Sequence, residues 1–327
     1  MNTLDEVKSL IQQELIEGIV ETMQKESELL RYLGWRNAVS HTIEWNIETG
    51  ETNVEFYSRN EDVAEGTPAW AKRTAALVRL GGDCDLDRLD LKLAVGGRLQ
   101  SDTMTLRAQA TARTFEKYAI YGLTSTTTNE KQLKGLLRLI AEVESTSTTD
   151  LDAVNNTQVV AYHATSATIA VDCLDALADA LVGDPNCFML NKLMRRKIKS
   201  LLRAAGTNLT LGEGKFGTKV EYYGTVPVVI NDFIPSNMDD NDGSSVNAIQ
   251  SWSKNQTRAA THDNSPIFAL QFEEKKFTGF QPGAMEVIPV GILQKKDAVR
   301  VRLMWYPGLA LINPRAAAVL TGATDGT

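Results

Sequence analysis

The sequence predicts an α+β fold, and three features predict it. Residues 41 to 95 alternate polar and apolar positions, residues 101 to 122 carry small apolar residues at helical spacing, and beyond residue 130 helical segments alternate with short strand-like runs. With 327 residues, 43% of them hydrophobic and 23% charged, the chain has enough apolar material for one large core or two smaller ones.

Taken in order, residues 4 to 30 place Leu4, Val7, Ile11, Leu15, Ile19 and Met23 at steps of three and four. That spacing marks an amphipathic helix or helix-forming arm, whose apolar stripe needs a partner. From residue 41, HTIEWNIETGETNVEFYS and TAALVRLGGDCDLDRLDLKLAV flank a polar, proline-bearing tip and spell one long β-hairpin to residue 95. Its arms are polar on one face or both, so the hairpin buries too little to stand alone and is expected to be ordered by a neighbour.

SDTMTLRAQATARTFEKYAIYG, residues 101 to 122, reads as a long helix capped by Ser101. Ala108, Ala112, Phe115 and Ala119 form a narrow stripe suited to close packing on a sheet, while Arg107, Arg113 and Lys117 point elsewhere. Ser/Thr-rich loops at 124–128 and 145–149 flank an amphipathic segment, KQLKGLLRLIAEV. There follow a helix from about Ser166 to Val182, a strand CFMLN, and a basic helix capped by Asn191 and closed by Gly206. YYGTVPVVINDFIP, residues 222 to 235, reads as a strand. The polar stretch after it, residues 236 to 265, has a length usually found in functional loops. PIFALQF, AMEVIPVGI and VRVRLMWYPGLALINPRAAAVLTG are the three strand-like runs that close the sequence.

Composition narrows the function classes. The first residues are acidic and amphipathic, unlike a secretory signal, and no run of eighteen apolar residues marks a membrane span. Cys84, Cys173 and Cys187 lack the paired spacing of a disulfide framework or metal knuckle, which fits a reducing compartment. The net charge of −7 lacks the basic footprint of a DNA-reading domain. Residues 1 to 30 hold seven acids against Lys8 and Lys25, however, so that segment carries −5 and the remainder is nearly balanced. Lys192, Arg195, Arg196, Lys197, Lys199 and Arg203 share one helix, which reads as a solvated face before it reads as a phosphate contact.

The sequence marks no catalytic, cofactor-binding or metal site. GEGKFG, residues 212 to 217, matches a phosphate-loop pattern by its letters, but a helix ends before it and a strand follows, the reverse of the required order. DCDLDRLD has Arg88 where a calcium loop turns on glycine, and the DDNDG stretch has Met238 and Ile249 at ligand positions. His41, His163 and His262 lie far apart, with no nucleophile or zinc motif around them. Trp45, Trp70, Trp252 and Trp305 are read as packing or subunit-contact groups before ligand-stacking groups.

Three stretches carry a resemblance. LRAQATARTFEKYAIYG is similar to a long spine helix with a Phe-Glu exit to glycine, here Phe115, Glu116 and Gly122. YYGTVPVVINDFIP and VRVRLMWYPGLALINPRAAAVLTG look like two further segments of the same family, in the same order. Together they resemble the major capsid protein of tailed bacteriophages, with the Hong Kong 97-type capsid fold that encapsulins share. The resemblance implies an N-terminal arm at 1–35, then an extended loop and first part of a peripheral domain at 36–129, including spine helix 101–122. It implies an axial domain at 130–265, a second part of the peripheral domain at 266–312 and a C-terminal return to the axial domain at 313–327.

What the resemblance implies about function is a shell of pentamers and hexamers around packaged double-stranded DNA, with no enzyme activity, no cofactor and no membrane. The expected location is the virion capsid, assembled in the host bacterial cytoplasm. Ile11, Leu15 and Ile19 in the arm and Phe56, Trp70 and Leu77 in the extended loop are the expected subunit contacts. Arg107, Arg113 and Lys117 are expected to face the lumen and offset phosphate charge weakly. Separate scaffolding, portal and decoration proteins remain open as partners. Some relatives cross-link a loop lysine to an asparagine; Lys72 matches the lysine, but residues 285–300 offer no asparagine, so a non-covalent shell is expected. An encapsulin-type cargo shell and a soluble α/β enzyme with an unrecognised site stand as alternatives.

Overall fold

The computed structural model describes Gly18 and residues 21–23, 27–50, 54–62, 66–67, 69–93, 96–122, 132–143, 156–161, 169–170, 172–213, 219–234 and 265–321. The arm contacts Ile11, Leu15 and Ile19, the DDNDG stretch and most of GEGKFG lie outside them.

Helix α1 (Glu28–Tyr32) opens the well-packed part of the chain and leads into strand β1 (Trp35–Asn37). Strands β2 (Thr42–Gly50) and β3 (Ala69–Ala76) pair antiparallel as a hairpin. The expected second arm does not continue to residue 95. Strand β4 (Leu80–Asp87) leaves the hairpin for a different sheet, and α2 (Arg88–Lys92), capped by the Asp87 carboxylate, is helical. The chain changes partner because Cys84 turns into the main core and Leu86 is buried with it on β4, whereas β3 buries only Ala75.

Helix α3 (Gly96–Tyr121) is the spine and begins five residues before the predicted Ser101 cap. Its expected stripe of Ala108, Ala112, Phe115 and Ala119 is fully buried, joined by Met104 and Ile120. Phe115 sits 4.8 Å from the Trp305 ring and 6.0 Å from Trp35, centroid to centroid, which gathers three distant parts of the chain around the helix. The helix stops at Gly122. A side chain there would place its Cβ 2.0 Å from the Leu133 carbonyl oxygen, and one at Gly135 would meet the Gly122 nitrogen at 2.4 Å. The two backbones meet at that glycine pair, and the Gly135 amide donates to the Gly122 carbonyl at 2.8 Å.

Helix α4 (Leu136–Ala141) corrects the amphipathic reading of KQLKGLLRLIAEV, because all six of its residues are buried. Arg138 tolerates this position through Glu142 one turn on, at 2.7 Å, a carboxylate that Lys134 also meets at 3.0 Å. Strand β5 (Val159–Ala161), helix α5 (Asp172–Asp179), strand β6 (Cys187–Leu190) and helix α6 (Lys192–Ala204) follow. The Asn191 side chain caps α6 by accepting from the Met194 amide at 2.8 Å, and Gly206 ends the turn at φ 79°. Strands β7 (Thr210–Glu213), β8 (Lys219–Tyr223) and β9 (Val226–Ile230) come next. YYGTVPVVI is therefore a tight hairpin and not one strand: Tyr223 pairs with Val226, and Gly224, at φ 60°, takes the turn position that favours glycine.

The last part comprises β10 (Ile267–Leu270), β11 (Phe277–Gln281), β12 (Glu286–Ile292), β13 (Ala298–Trp305), β14 (Gly308–Leu311) and β15 (Ala317–Thr321). A seven-stranded mixed sheet runs in the order β5-β15-β10-β6-β9-β8-β7. Residues 267–270, expected at the start of the second peripheral segment, thus lie inside this sheet between β15 and β6. Phe268 and Leu270 face the core beneath α3 and α4, while Ile267 and Ala269 face the core under α5 and α6. Burial on both faces explains why β6, β10 and β15 read as unbroken apolar runs. Two three-stranded sheets, β12-β13-β4 and β1-β11-β14, complete the core.

Candidate assembly interface

Among the described residues, two groups of exposed apolar side chains lie on or beside antiparallel strand pairs. The root of the β2–β3 hairpin is anchored, since Ala75 is buried with Ala38, Phe280 and Ala310, and Ile43, Trp45 and Leu77 pack against them. Leu77, an expected neighbour contact, therefore belongs to this root and is half-buried within its own subunit. Beyond the root the hairpin projects. Phe56 is fully exposed, Val54 is 86% exposed and Trp70 61%. Lys72 is held across the hairpin by Glu44 at 2.5 Å.

The second surface is the outer face of β12. Val301, Leu303 and Trp305 of β13 turn inward to the spine helix, while the β12 side chains Ile288, Val290 and Ile292 stand exposed. The free edge of β12 is a poor template for adding a strand: Pro289 has no amide hydrogen, and the pairing shifts between Pro289 and Gly291. What this strand offers a partner is its side chains. AMEVIPVGI displayed their alternation, but nothing in the sequence said which face would lack a cover.

Between these apolar surfaces the sheet face is charged and internally matched. Arg300 grips Asp85 with two hydrogen bonds of 2.6 and 2.8 Å, and Arg302 grips Asp83 at 2.6 and 2.9 Å. The Arg302 hydrogen bond holds the Asp83 carboxyl below its usual range, and the Arg300 bond does the same for Asp85. Arg107 also turns to this sheet: its guanidinium lies 3.2 Å from where a Gly82 Cβ would be and donates to the Asp83 carbonyl. Arg113 and Lys117 are exposed on α3, with the Lys117 ammonium 5.9 Å from the Tyr118 ring centre.

Three of the six cations on α6 are matched too. Arg195 and Lys199 converge on Glu221 and hold its carboxyl down to about 2, while Lys192 meets Asp232 at 2.6 Å. Among the described residues no group of three or more His, Cys, Asp or Glu is placed to hold a metal ion, and no helix is long and apolar enough to cross a membrane.

The same arrangement of strands and spine helix recurs in solved shells. The chain is similar to the holo-SrpI encapsulin complex from Synechococcus elongatus PCC 7942, at 15% identity and a TM-score of 0.62, over 92% of this chain and 88% of that one. It is similar to the capsid of a native GTA particle, at 15% identity and a TM-score of 0.60, over 93% and 91%. The structure titled Mycobacterium phage Bobi matches at 12% identity and a TM-score of 0.58, over 90% of each chain. No curated protein sequence matches significantly. At these identities the structures establish the fold alone, the Hong Kong 97-type capsid fold. The sequence model of the phage capsid family supplies the rest: it matches residues 8–322, so the chain belongs to the phage capsid family and is a major capsid protein.

Proposed function

We propose that this capsid protein closes into an icosahedral shell of pentamers and hexamers around phage double-stranded DNA, and that the β2–β3 hairpin is the contact that joins neighbouring copies. The observation that carries the reading is the exposed apolar group Val54, Phe56 and Trp70 on a hairpin whose root packs on Phe280 and Ala310 and whose Arg73 reaches the Val143 carbonyl. A ring of identical subunits needs contacts between two different patches of the same surface, and exposed apolar groups on two separate elements supply them. Ile288, Val290 and Ile292 of the neighbouring copy are the receiving patch for the hairpin, and Ile11, Leu15 and Ile19 of the arm add a second contact.

In this reading residues 1–35 are the arm and the hairpin is the extended loop. The spine helix with β4, β12 and β13 forms the peripheral domain, and the seven-stranded sheet, β10 included, forms the axial domain. Arg113 and Lys117 face the packaged DNA; Arg107, turned onto Asp83, contributes less. The shell is non-covalent and assembles in the host cytoplasm, with scaffolding, portal and decoration proteins as separate partners.

The test is expression of the chain alone, with negative-stain electron microscopy beside light-scattering mass. Closed shells or five- and six-membered rings are expected. Uniform small oligomers carrying a bound small molecule would move the assignment to an enzyme. Deletion of residues 60–74 is expected to abolish assembly, and unchanged particles would remove the hairpin from the interface. The likeness to an encapsulin supports a second reading, a cargo shell, which purified particles free of nucleic acid would favour.

A further inference from the structure

Glu116 joins three distant parts of the chain. It lies on the spine helix and is 2% exposed. One of its oxygens, Oε1, accepts from the Leu29 amide of α1 at 3.2 Å and from Asn231 Nδ2, just past β9, at 2.9 Å. Asn231 is itself fixed, because its Oδ1 accepts from the Phe233 amide at 2.8 Å. Ser27 caps α1 and also hydrogen-bonds to the Glu116 carboxyl.

The groups facing Glu116 do not neutralise it. From α1 comes Glu28, itself bound to Arg31 at 2.8 Å. Next to Asn231 in the turn after β9 stands Asp232, bound to Lys192 of α6, and the Met189 sulfur of β6 meets Asn231 Nδ2 at 3.5 Å. Among the described residues the neighbouring cations Arg31 and Lys192 are each held by a different carboxylate, and the donors to Glu116 are neutral.

A crevice of about 170 Å³ adjoins the seat of α1, between Met23 and Leu30 on the arm side and Trp35, Gln281, Met285 and Trp305 on the body. A void of that size removes packing contacts from one side of the helix, so lifting it costs less than lifting a close-packed element.

We propose that Glu116 is a proton-operated latch on the N-terminal arm: with its carboxyl protonated, α1 is seated on the spine helix, and with the carboxylate ionised, α1 loosens and water reaches the charge. Burial, with Glu28 adding to it, pushes Glu116 up to about 7, so the latch works near neutrality. Because the seated state holds the proton more tightly than a solvated carboxyl does, seating is complete at acid pH and is lost as pH rises through about 7. The latch is a property of the subunit; only its consequence, an arm freed or fixed during shell formation, rests on the assembly reading.

Hydrogen exchange of the full chain at pH 6 and pH 8, corrected for intrinsic rates, tests it. Protection of the 27–33 peptide is expected to fall about tenfold between these values, the ratio that a group near 7 in the seated state imposes on opening. Glu116→Gln keeps the accepting oxygen and cannot ionise, so its protection is expected to be high and equal at both pH values. Peptides from 104–115 are expected to be unchanged throughout. Flat protection in the native chain, a pH dependence retained in Glu116→Gln, or spine peptides loosening together with α1 would each overturn the latch. Should Glu116→Gln fail to fold, the profile of the native chain decides alone. Electron microscopy of the same samples reports assembly independently, so failure of the latch and failure of the shell reading are told apart.

Discussion

Replacing Phe56 with alanine separates assembly from folding. In the isolated subunit the ring is fully exposed, so its removal takes nothing from the core, and surface changes of this kind shift folding stability by less than about 0.5 kcal/mol. In the proposed shell the ring is expected to be covered by a neighbour. Full burial of a phenylalanine side chain contributes about 2–3 kcal/mol, and every 1.4 kcal/mol is a factor of ten in an association constant. The subunit concentration at which shells first form should therefore rise roughly thirtyfold to a hundredfold, with the urea midpoint of unassembled subunits unchanged. Light scattering against concentration reads the first quantity and tryptophan fluorescence in urea the second. If shells of Phe56→Ala appeared at the native concentration, the hairpin would not be the contact. If the urea midpoint dropped, Phe56 would belong to the fold.

Three further outcomes follow from the core and its charges. Phe115→Ala opens a cavity at the meeting point of α3, Trp35 and Trp305 and should lower subunit stability by about 3–5 kcal/mol in urea unfolding; a loss below about 1 kcal/mol would mean that the aromatic group closes over the gap. Gly122→Ala drives a Cβ into the Leu133 carbonyl at 2.0 Å, where only backbone can yield, and should cost at least the 1–3 kcal/mol typical of overpacking, read as a lowered melting temperature. Glu221 is held down to about 2 by Arg195 and Lys199, so its contribution to stability is present above about 4.5 and lost as pH falls through about 2. Glu221→Gln should flatten the acid limb of the stability profile in that window, and an unchanged limb would show that the ion pairs do not form in solution.

Local signals made much of the fold legible. The alanine stripe of α3, the Asn191 cap and the Gly206 stop each depend on a few neighbouring residues, and each structural feature lies where its pattern stands. Pairing partners were not legible. β10 was visible as a strand, but a strand buried on both faces shows no alternation, so nothing placed it beside β6 and β15. The parallel contact of β1 with β11 joins residues more than two hundred positions apart and leaves no local trace. Arg138 disguised α4, because a charge suggests solvent until its Glu142 partner is placed. Of the expected hairpin contacts, Phe56 and Trp70 are exposed on the subunit, whereas Leu77 sits where the hairpin folds onto Phe280, a contact made by a strand absent from the sequence reading.

The distribution of charge bears on how such a shell holds its contents. Three cations on α3 were expected to offset phosphate charge, and six on α6 were read as a solvated face before a phosphate contact. Folding removes Lys192, Arg195 and Lys199 from that set through Asp232 and Glu221, and turns Arg107 onto the Asp83 carbonyl. Asp83 and Asp85 likewise occupy Arg302 and Arg300. A chain that matches its arginines internally keeps a small positive surplus for nucleic acid, and each phosphate contact removed lowers the salt dependence of binding in proportion. In the proposed shell, packing of DNA is therefore expected to depend on enclosure by the subunits more than on attraction to any one of them, because the basic side chains named are already engaged in ion pairs at the subunit's own surface.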